Sequence, residues 1–146
     1  MIFISYSHDD RHLCDEFIKM AAPLIRYTGV SMWSDADIQP GRDWKKAIDE
    51  ALNSTSVAVL LVSKAFLASH FIQSKELPYF LDAAKNRGVE ILWILVSDCY
   101  LKRTPLEHIQ AAYPVKRPLD QLSVARQQTA WKTIVGKADE AWQRTA

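Results

Sequence analysis

The stretch "SVAVLLVSKAFLASHFIQSKELP", residues 56–78, decides how the chain is read. Between Ser56 and Ser63 its six residues 57–62 are apolar without alternation, which is the pattern of a strand covered on both faces. A strand of that kind belongs at the centre of a parallel sheet. The residues after it predict a third helical region over about 64–87, closed by Gly88. Within that region, Pro78 interrupts the pattern two residues after Glu76.

On the amino-terminal side, "MIFISYS" at 1–7 reads as a β-rich run. Asp9 or Asp10 can cap a helix in which Leu13, Phe17, Met20, Leu24 and Ile25 recur at helical spacing, with Gly29 ending it. "VSMWSD" at 30–35 predicts a second strand, and Pro40-Gly41 marks "ADIQPG" as a loop. Trp44, Ile48, Ala51 and Leu52 then define one face of a second helix, with Trp44 read as a packing residue.

On the carboxyl-terminal side, "VEILWILVS" at 89–97 predicts a fourth buried strand. The segment 98–122 holds three prolines and is read as a short helix near 105–109 and an edge strand near 111–115. Ser123 can cap a closing helix that buries Leu122, Ala125, Trp131, Ile134, Val135, Ala138 and Trp142. Strands alternating with helices predict a doubly wound α/β fold, a parallel sheet with helices on both faces. In such a fold the functional crevice lies beyond the carboxyl ends of the strands, at the switch point of the topology.

Composition narrows the function classes. The 146 residues are 49% hydrophobic and 24% charged, as expected for a single domain spanning 1–146. A net charge of +1, from 18 basic and 17 acidic side chains, provides no field for nucleic acid or anionic lipid. The longest apolar runs, 57–62 and 91–96, are far shorter than the roughly 20 residues that cross a bilayer. Cys14 and Cys99 form neither a disulfide framework nor a metal spacing, so a reducing, cytoplasmic location is expected.

The strand ends lack the phosphate-binding patterns G-x-x-x-x-G-K-[ST] and G-x-G-x-x-G, and there are four glycines in the whole chain. The third strand ends in Val62-Ser63-Lys64, without the acid a phospho-acceptor domain requires. No G-x-S-x-G elbow is present. His8 and His12 are four apart but have no third partner for zinc, and His70 and His108 stand alone, so no metal site is expected. The strand ends carry instead Ser5-Tyr6-Ser7-His8 after the first strand, Trp33-Ser34-Asp35 after the second, and Ser63 leading to Glu76 after the third. A polar, aromatic and acidic set of this kind suits a ligand with a ribose and a planar ring.

These residues resemble the TIR domain (Toll, interleukin receptor and resistance protein), and its bacterial members in particular. "FISYSHDD" at 3–10 resembles the family's first box, "MWSDADIQPGRDW" at 32–44 its second strand and mobile loop, and 57–77 its third strand and helix. The matches run in order over about the first 100 residues. The resemblance implies a flavodoxin-like sheet of about five strands. It also implies cleavage of NAD+ at the nicotinamide–ribose bond, with Glu76 as the catalytic glutamate and NAD+ as substrate rather than cofactor. Tyr6, Ser7, Trp33, Asp35, Phe71 and Ile72 are the implied substrate-binding residues. Bacterial antiphage defence, with a sensor supplied by another domain or partner, is implied in the same way. Family members commonly carry Trp four residues before the glutamate, where this chain has Ile72. Phe71 is five residues away, off the Glu76 face of a regular helix. A helix restarting at Ser74 would instead put Glu76 in its first turn.

Nicotinamide carries positive charge in NAD+ and leaves neutral, so one ionised carboxylate can suffice. An ordinary Glu titrates near ~4.3, and a first-turn position favours the charged form. Position alone favours a solvated acid at that spot, and it is the resemblance that points to catalysis. Tyr6 can be a half-buried strand-end residue, Asp35 a turn opener, and "KNR" at 85–87 a solvated helix end. The competing class is a non-catalytic assembly module. In it the loop 36–43, with Asp37, Ile38, Pro40, Gly41 and Asp43, docks on other TIR domains.

Overall fold

The computed structural model describes residues 1–38 and 40–145. Strand β1 (Ile2–Ser5) leads through a 3-10 turn at His8–Asp10 into helices α1 (Arg11–Met20) and α2 (Ala22–Thr28), then strand β2 (Met32–Trp33). A 3-10 turn at Asp35–Asp37 and helix α3 (Trp44–Asn53) connect to β3 (Val57–Val62). Helix α4 (Lys64–Ala68), a π-helical turn at Ile72–Glu76 and helix α5 (Leu77–Arg87) precede β4 (Glu90–Leu95). Short 3-10 turns at Pro105–His108 and Leu119–Gln121 lead to the closing helix α6 (Val124–Thr145).

All pairings are parallel, in the order β2-β1-β3-β4. Every residue of β3 is buried, as its unbroken apolar run predicts. Alternate side chains of the sheet feed two cores. Val57, Val59 and Leu61 join Ile2, Ile4 and Ile94 beneath α1 and α6, where Phe17, Trp131 and Ile134 close the layer. Ala58, Leu60 and Val62 join Phe3, Trp93 and Leu95 beneath α3 and α5. Each fully buried aliphatic side chain contributes about 1.5–3 kcal/mol, so β3 anchors both layers at once.

The alternation of strands and helices agrees with the sequence reading, but several details do not. Among the described residues the sheet has four strands rather than five. The segment 111–115 meets β4 through an isolated bond, Ala112 N donating to Trp93 O at 2.9 Å, and farther along Asp120 N donates to Val96 O, just past β4, at 3.0 Å. Pro114 and Pro118 have no amide to extend a ladder. The first helical region divides at Ala21, two residues before Pro23. Neither Asp9 nor Asp10 caps it in the expected way. Ser7 accepts from Asp9 N at 3.4 Å, and the Asp10 carboxylate accepts from the Ser63 hydroxyl at 2.5 Å.

Gly29 and Gly88 end α2 and α5 in the left-handed conformation, as expected. In α6, Ala125 is exposed, while Ala130 and Ala141 are buried in its place. Arg87 is not a merely solvated helix end. Its guanidinium donates to Thr55 O and Leu52 O, both at 2.9 Å, and to Tyr79 Oη at 3.0 Å, holding the end of α3 against α5.

Two substitutions separate these contributions. Leu60→Ala should cost about 2–5 kcal/mol through the cavity it leaves, and Arg87→Met about 1–3 kcal/mol through the lost carbonyl contacts. Urea unfolding of each variant against the parent measures both, and a Leu60→Ala cost below that of Arg87→Met would contradict the central place of β3.

Candidate active site

β1 and β3 are neighbours, yet the chain leaves β1 toward β2 on one side and β3 toward β4 on the other. That divergence opens a crevice at their carboxyl ends. The cleft there has a volume of about 900 Å³, at the upper end for small-molecule sites. It is lined by 6–9 and Arg11 after β1, by Asp35, Ala36 and Ile38 after β2, by Trp44 and Ile48 of α3, and by the segment from Ala65 to Glu76 after β3.

Glu76 enters this cleft through an irregular helix. Ser69 opens the helix, its hydroxyl accepting from Ile72 N at 3.3 Å and its carbonyl from Gln73 N at 3.0 Å. The helix therefore does not restart at Ser74, whose hydroxyl donates back to His70 O at 2.6 Å. Over Ile72–Glu76 the hydrogen bonds lengthen to the π pattern, and Leu77 N donates to Ile72 O five residues back. Pro78 explains the place of the irregularity, since it has no amide and its ring excludes the carbonyl four residues earlier in a regular helix. A π turn sets residues five apart on one face. Phe71, Ile72 and Glu76 all line the cleft as a result, which the regular-helix argument had excluded for Phe71.

Glu76 is not the solvated first-turn acid that its position alone suggests. It is 4% exposed, and its Oε1 accepts a 2.6 Å hydrogen bond from the Ser5 hydroxyl at the end of β1. Burial pushes its pKa up to about 7. The Ser5 hydrogen bond opposes that rise, the Asp35 carboxylate adds to it, and His8 opposes it. The expected helix-dipole effect is overridden because the side chain turns inward behind β1 and loses its water.

The remaining predicted residues divide. Tyr6 and Ser7 line the cleft. Tyr6 is 4% exposed, and its buried hydroxyl has no hydrogen-bond partner among the described residues. Loss of water drives its pKa up to about 12, with the neighbouring Ser34 hydroxyl opposing the shift without reaching hydrogen-bond geometry. Asp35 also lines the cleft. Its Oδ2 meets His8 Nε2 at 2.7 Å, while Oδ1 is buried and unpartnered among the described residues.

Trp33 is not in the cleft. In parallel register with Phe3, it packs on that ring at 4.9 Å between centroids and lines a separate, smaller cavity. Of the loop residues, Asp37 accepts from Ser34 N at 2.8 Å and Asp43 caps α3 through Lys45 N and Lys46 N. Ile38 lines the cleft, and Pro40 and Gly41 form an exposed turn. Gln39 lies outside the described residues.

Sequence reasoning missed Trp44. It is 49% exposed, lines the cleft and lies 5.8 Å from the Phe71 ring between centroids. Helical side chains lean toward the amino terminus, so a residue directly after the Asp43 cap projects beyond the helix rather than onto its buried face. The cap was the signal available. His8, placed at the first strand end without a role of its own, is exposed and sits on the cleft rim. Ser5, the hydrogen-bond partner of Glu76, was named only as part of its strand end.

The TIR domain family matches residues 2–127. A protein of uncharacterized function, y4lF of Sinorhizobium fredii, is 28% identical over 120 residues, which are 82% of this chain and 37% of that protein. A probable 2' cyclic ADP-D-ribose synthase, TcpO of Methanobrevibacter olleyae, is 32% identical over 82 residues, 56% of this chain and 23% of that one. The NAD(+) hydrolase PdTIR of Paracoccus denitrificans is 27% identical over 99 residues, 66% of this chain and 32% of that protein. The chain thus spans roughly a quarter to a third of these relatives' length. Among solved structures, the TIR domain of the Toll-related receptor TRR-2 from Hydra magnipapillata superposes with a TM-score of 0.57 at 21% identity, covering 75% of this chain and 80% of that one. The TIR domains of the activated Roq1 resistosome give 0.54 at 17% identity, covering 92% and 82%. At those identities the structures speak for the fold, and the family match over residues 2–127 speaks for descent: the chain belongs to the TIR domain family.

Proposed function

We propose that the cleft binds NAD+ and that Glu76 promotes cleavage of its nicotinamide–ribose bond. The observation that carries this reading is a buried carboxylate at the switch-point crevice, hydrogen-bonded on one oxygen. The activities of two relatives, an NAD(+) hydrolase and a probable cyclic ADP-ribose synthase, support the same chemistry.

Ionised Glu76 stabilises the positive charge that develops on the ribose as neutral nicotinamide departs, in a site where low dielectric strengthens the interaction. Trp44 and Phe71 offer aromatic faces for a planar ring. Tyr6 and Asp35 line the same cleft, and a small rotation of each side chain on ligand entry turns the unpartnered Tyr6 hydroxyl and Asp35 Oδ1, both buried in the free protein, onto sugar hydroxyls. Capture of the ribose by water gives ADP-ribose, and capture by another part of the same nucleotide gives a cyclic product.

A second reading is a TIR module that assembles through the loop 36–43. Asp37 and Asp43 fasten the two ends of that loop and leave the Pro40-Gly41 turn exposed between them. The two readings combine in an effector of bacterial immune defence that is activated by assembly, its trigger supplied by a sensor.

Four results test these readings. Glu76→Gln should lower nicotinamide release from NAD+ by at least about 100-fold. No release by the parent protein, even when crowded or forced to oligomerise, would refute catalysis. For the parent, kcat/KM should rise with pH through a midpoint of about 7 and level off above it, because the ionised carboxylate is the active form. The kcat profile should lie lower, since bound pyridinium favours that form. The raised pKa also means that proton binding stabilises the fold fully below about 4.5 and that this contribution is lost as pH rises through about 7. Glu76→Gln should therefore melt higher than the parent at pH 8 and show no such loss. Pro40→Ala with Arg42→Glu should abolish self-association in sedimentation and lower nicotinamide release by about tenfold. Unchanged sedimentation would remove this loop from assembly.

A further inference from the structure

The Ser5–Glu76 hydrogen bond has properties that packing alone does not require. Ser5 is 1% exposed, the last residue of β1, and points to the same side of the sheet as Phe3, toward the helical segment after β3. An alanine would fill that position without bringing a polar group into the interior. Instead a hydroxyl donates to Glu76 Oε1 at 2.6 Å, across 71 residues of chain. Glu76 Oε2 has no partner among the described residues and, unlike the Tyr6 hydroxyl and Asp35 Oδ1, is not sealed from the surface. The carboxylate thus has one oxygen tied to the sheet and one without a partner among the described residues, on a side chain that lines the cleft. Ser5 itself does not line the cleft.

We propose that Ser5 is a positioning residue for Glu76. Its hydroxyl ties Oε1 to the end of β1 and so holds Oε2 toward the reacting sugar. This rests on the reading of Glu76 as the catalytic carboxylate. The π turn and the serine act on the same side chain from two directions. The widened turn swings Glu76 inward, and the hydroxyl stops its rotation about the terminal torsion, which is otherwise broad. The bond also favours the ionised form, because a carboxylate oxygen accepts the hydroxyl's hydrogen more strongly than the carbonyl oxygen of a neutral acid does. The other titratable groups lining the cleft are His8, Asp35, Tyr6, Asp9 and Arg11, and replacing Ser5 leaves all of them in place.

The test compares the parent with Ser5→Ala and Ser5→Thr, the latter keeping a hydroxyl on a side chain suited to a strand. Two readouts are taken on each folded protein. One is the titration of the Glu76 carboxyl carbon by NMR, with Glu76→Gln identifying the signal. The other is the pH profile of nicotinamide release from NAD+. Ser5→Ala should move the Glu76 titration and the kcat/KM limb up by about one pH unit. It should also lower kcat by about tenfold with KM little changed, and Ser5→Thr should restore both. A Glu76 titration that does not move in folded Ser5→Ala overturns the proposal. So does a fall in kcat that comes without movement of the pH limb and without recovery in Ser5→Thr. A titration that moves in a parent protein releasing no nicotinamide at any pH refutes the catalytic reading of Glu76, and with it the positioning role, while leaving the hydrogen bond itself established.

Discussion

The complete burial of β3 constrains everything around it. A strand with no face toward water must have a helical layer on each side and a parallel partner along each edge, and β1 and β4 take the two edges. Because β1 then pairs on its far side with β2, consecutive connections run in opposite directions from the middle of the sheet. The crevice at the carboxyl ends of β1 and β3 results from that geometry, before any particular side chain is considered.

At those ends the chain must turn, and backbone and polar side chains meet the edge of two apolar cores. Ser5 ends β1 and Ser63 follows β3, both are buried, and each donates its hydroxyl to a carboxylate distant in sequence, Glu76 and Asp10 respectively. The two bonds cross, since the serine of β1 holds the segment after β3 and the serine of β3 holds the turn after β1. This stitching makes the crevice a fixed cleft rather than two independent loops. Burial of Glu76 at this point, against the opposing pull of the Ser5 hydroxyl, brings its pKa near neutrality, a combination that suits chemistry more than stability.

Much of this was legible in the chain itself. The unbroken "VAVLLV" run, the glycines closing α2 and α5, and the order of the boxes located the sheet and put Tyr6, Ser7, Asp35, Phe71, Ile72 and Glu76 near one another. The misplaced side chains share a cause, which is that each depended on which way a side chain points. Trp33 pairs in register with Phe3 and so faces away from the cleft. Trp44 comes directly after a helix cap and therefore faces into it. Arg87, read as a solvated end, reaches carbonyls of another helix that no local pattern could reveal.

Sequence alone therefore determined the fold class and the neighbourhood of the site, because burial on both faces leaves a one-dimensional signature in the spacing of apolar residues. Whether Glu76 is solvated or buried was a tertiary decision. It depended on a π turn ahead of Pro78 and on a hydroxyl 71 residues away, and both act through space. A carboxylate's ionisation depends on the water and charges around it in three dimensions, and no spacing along the chain encodes that.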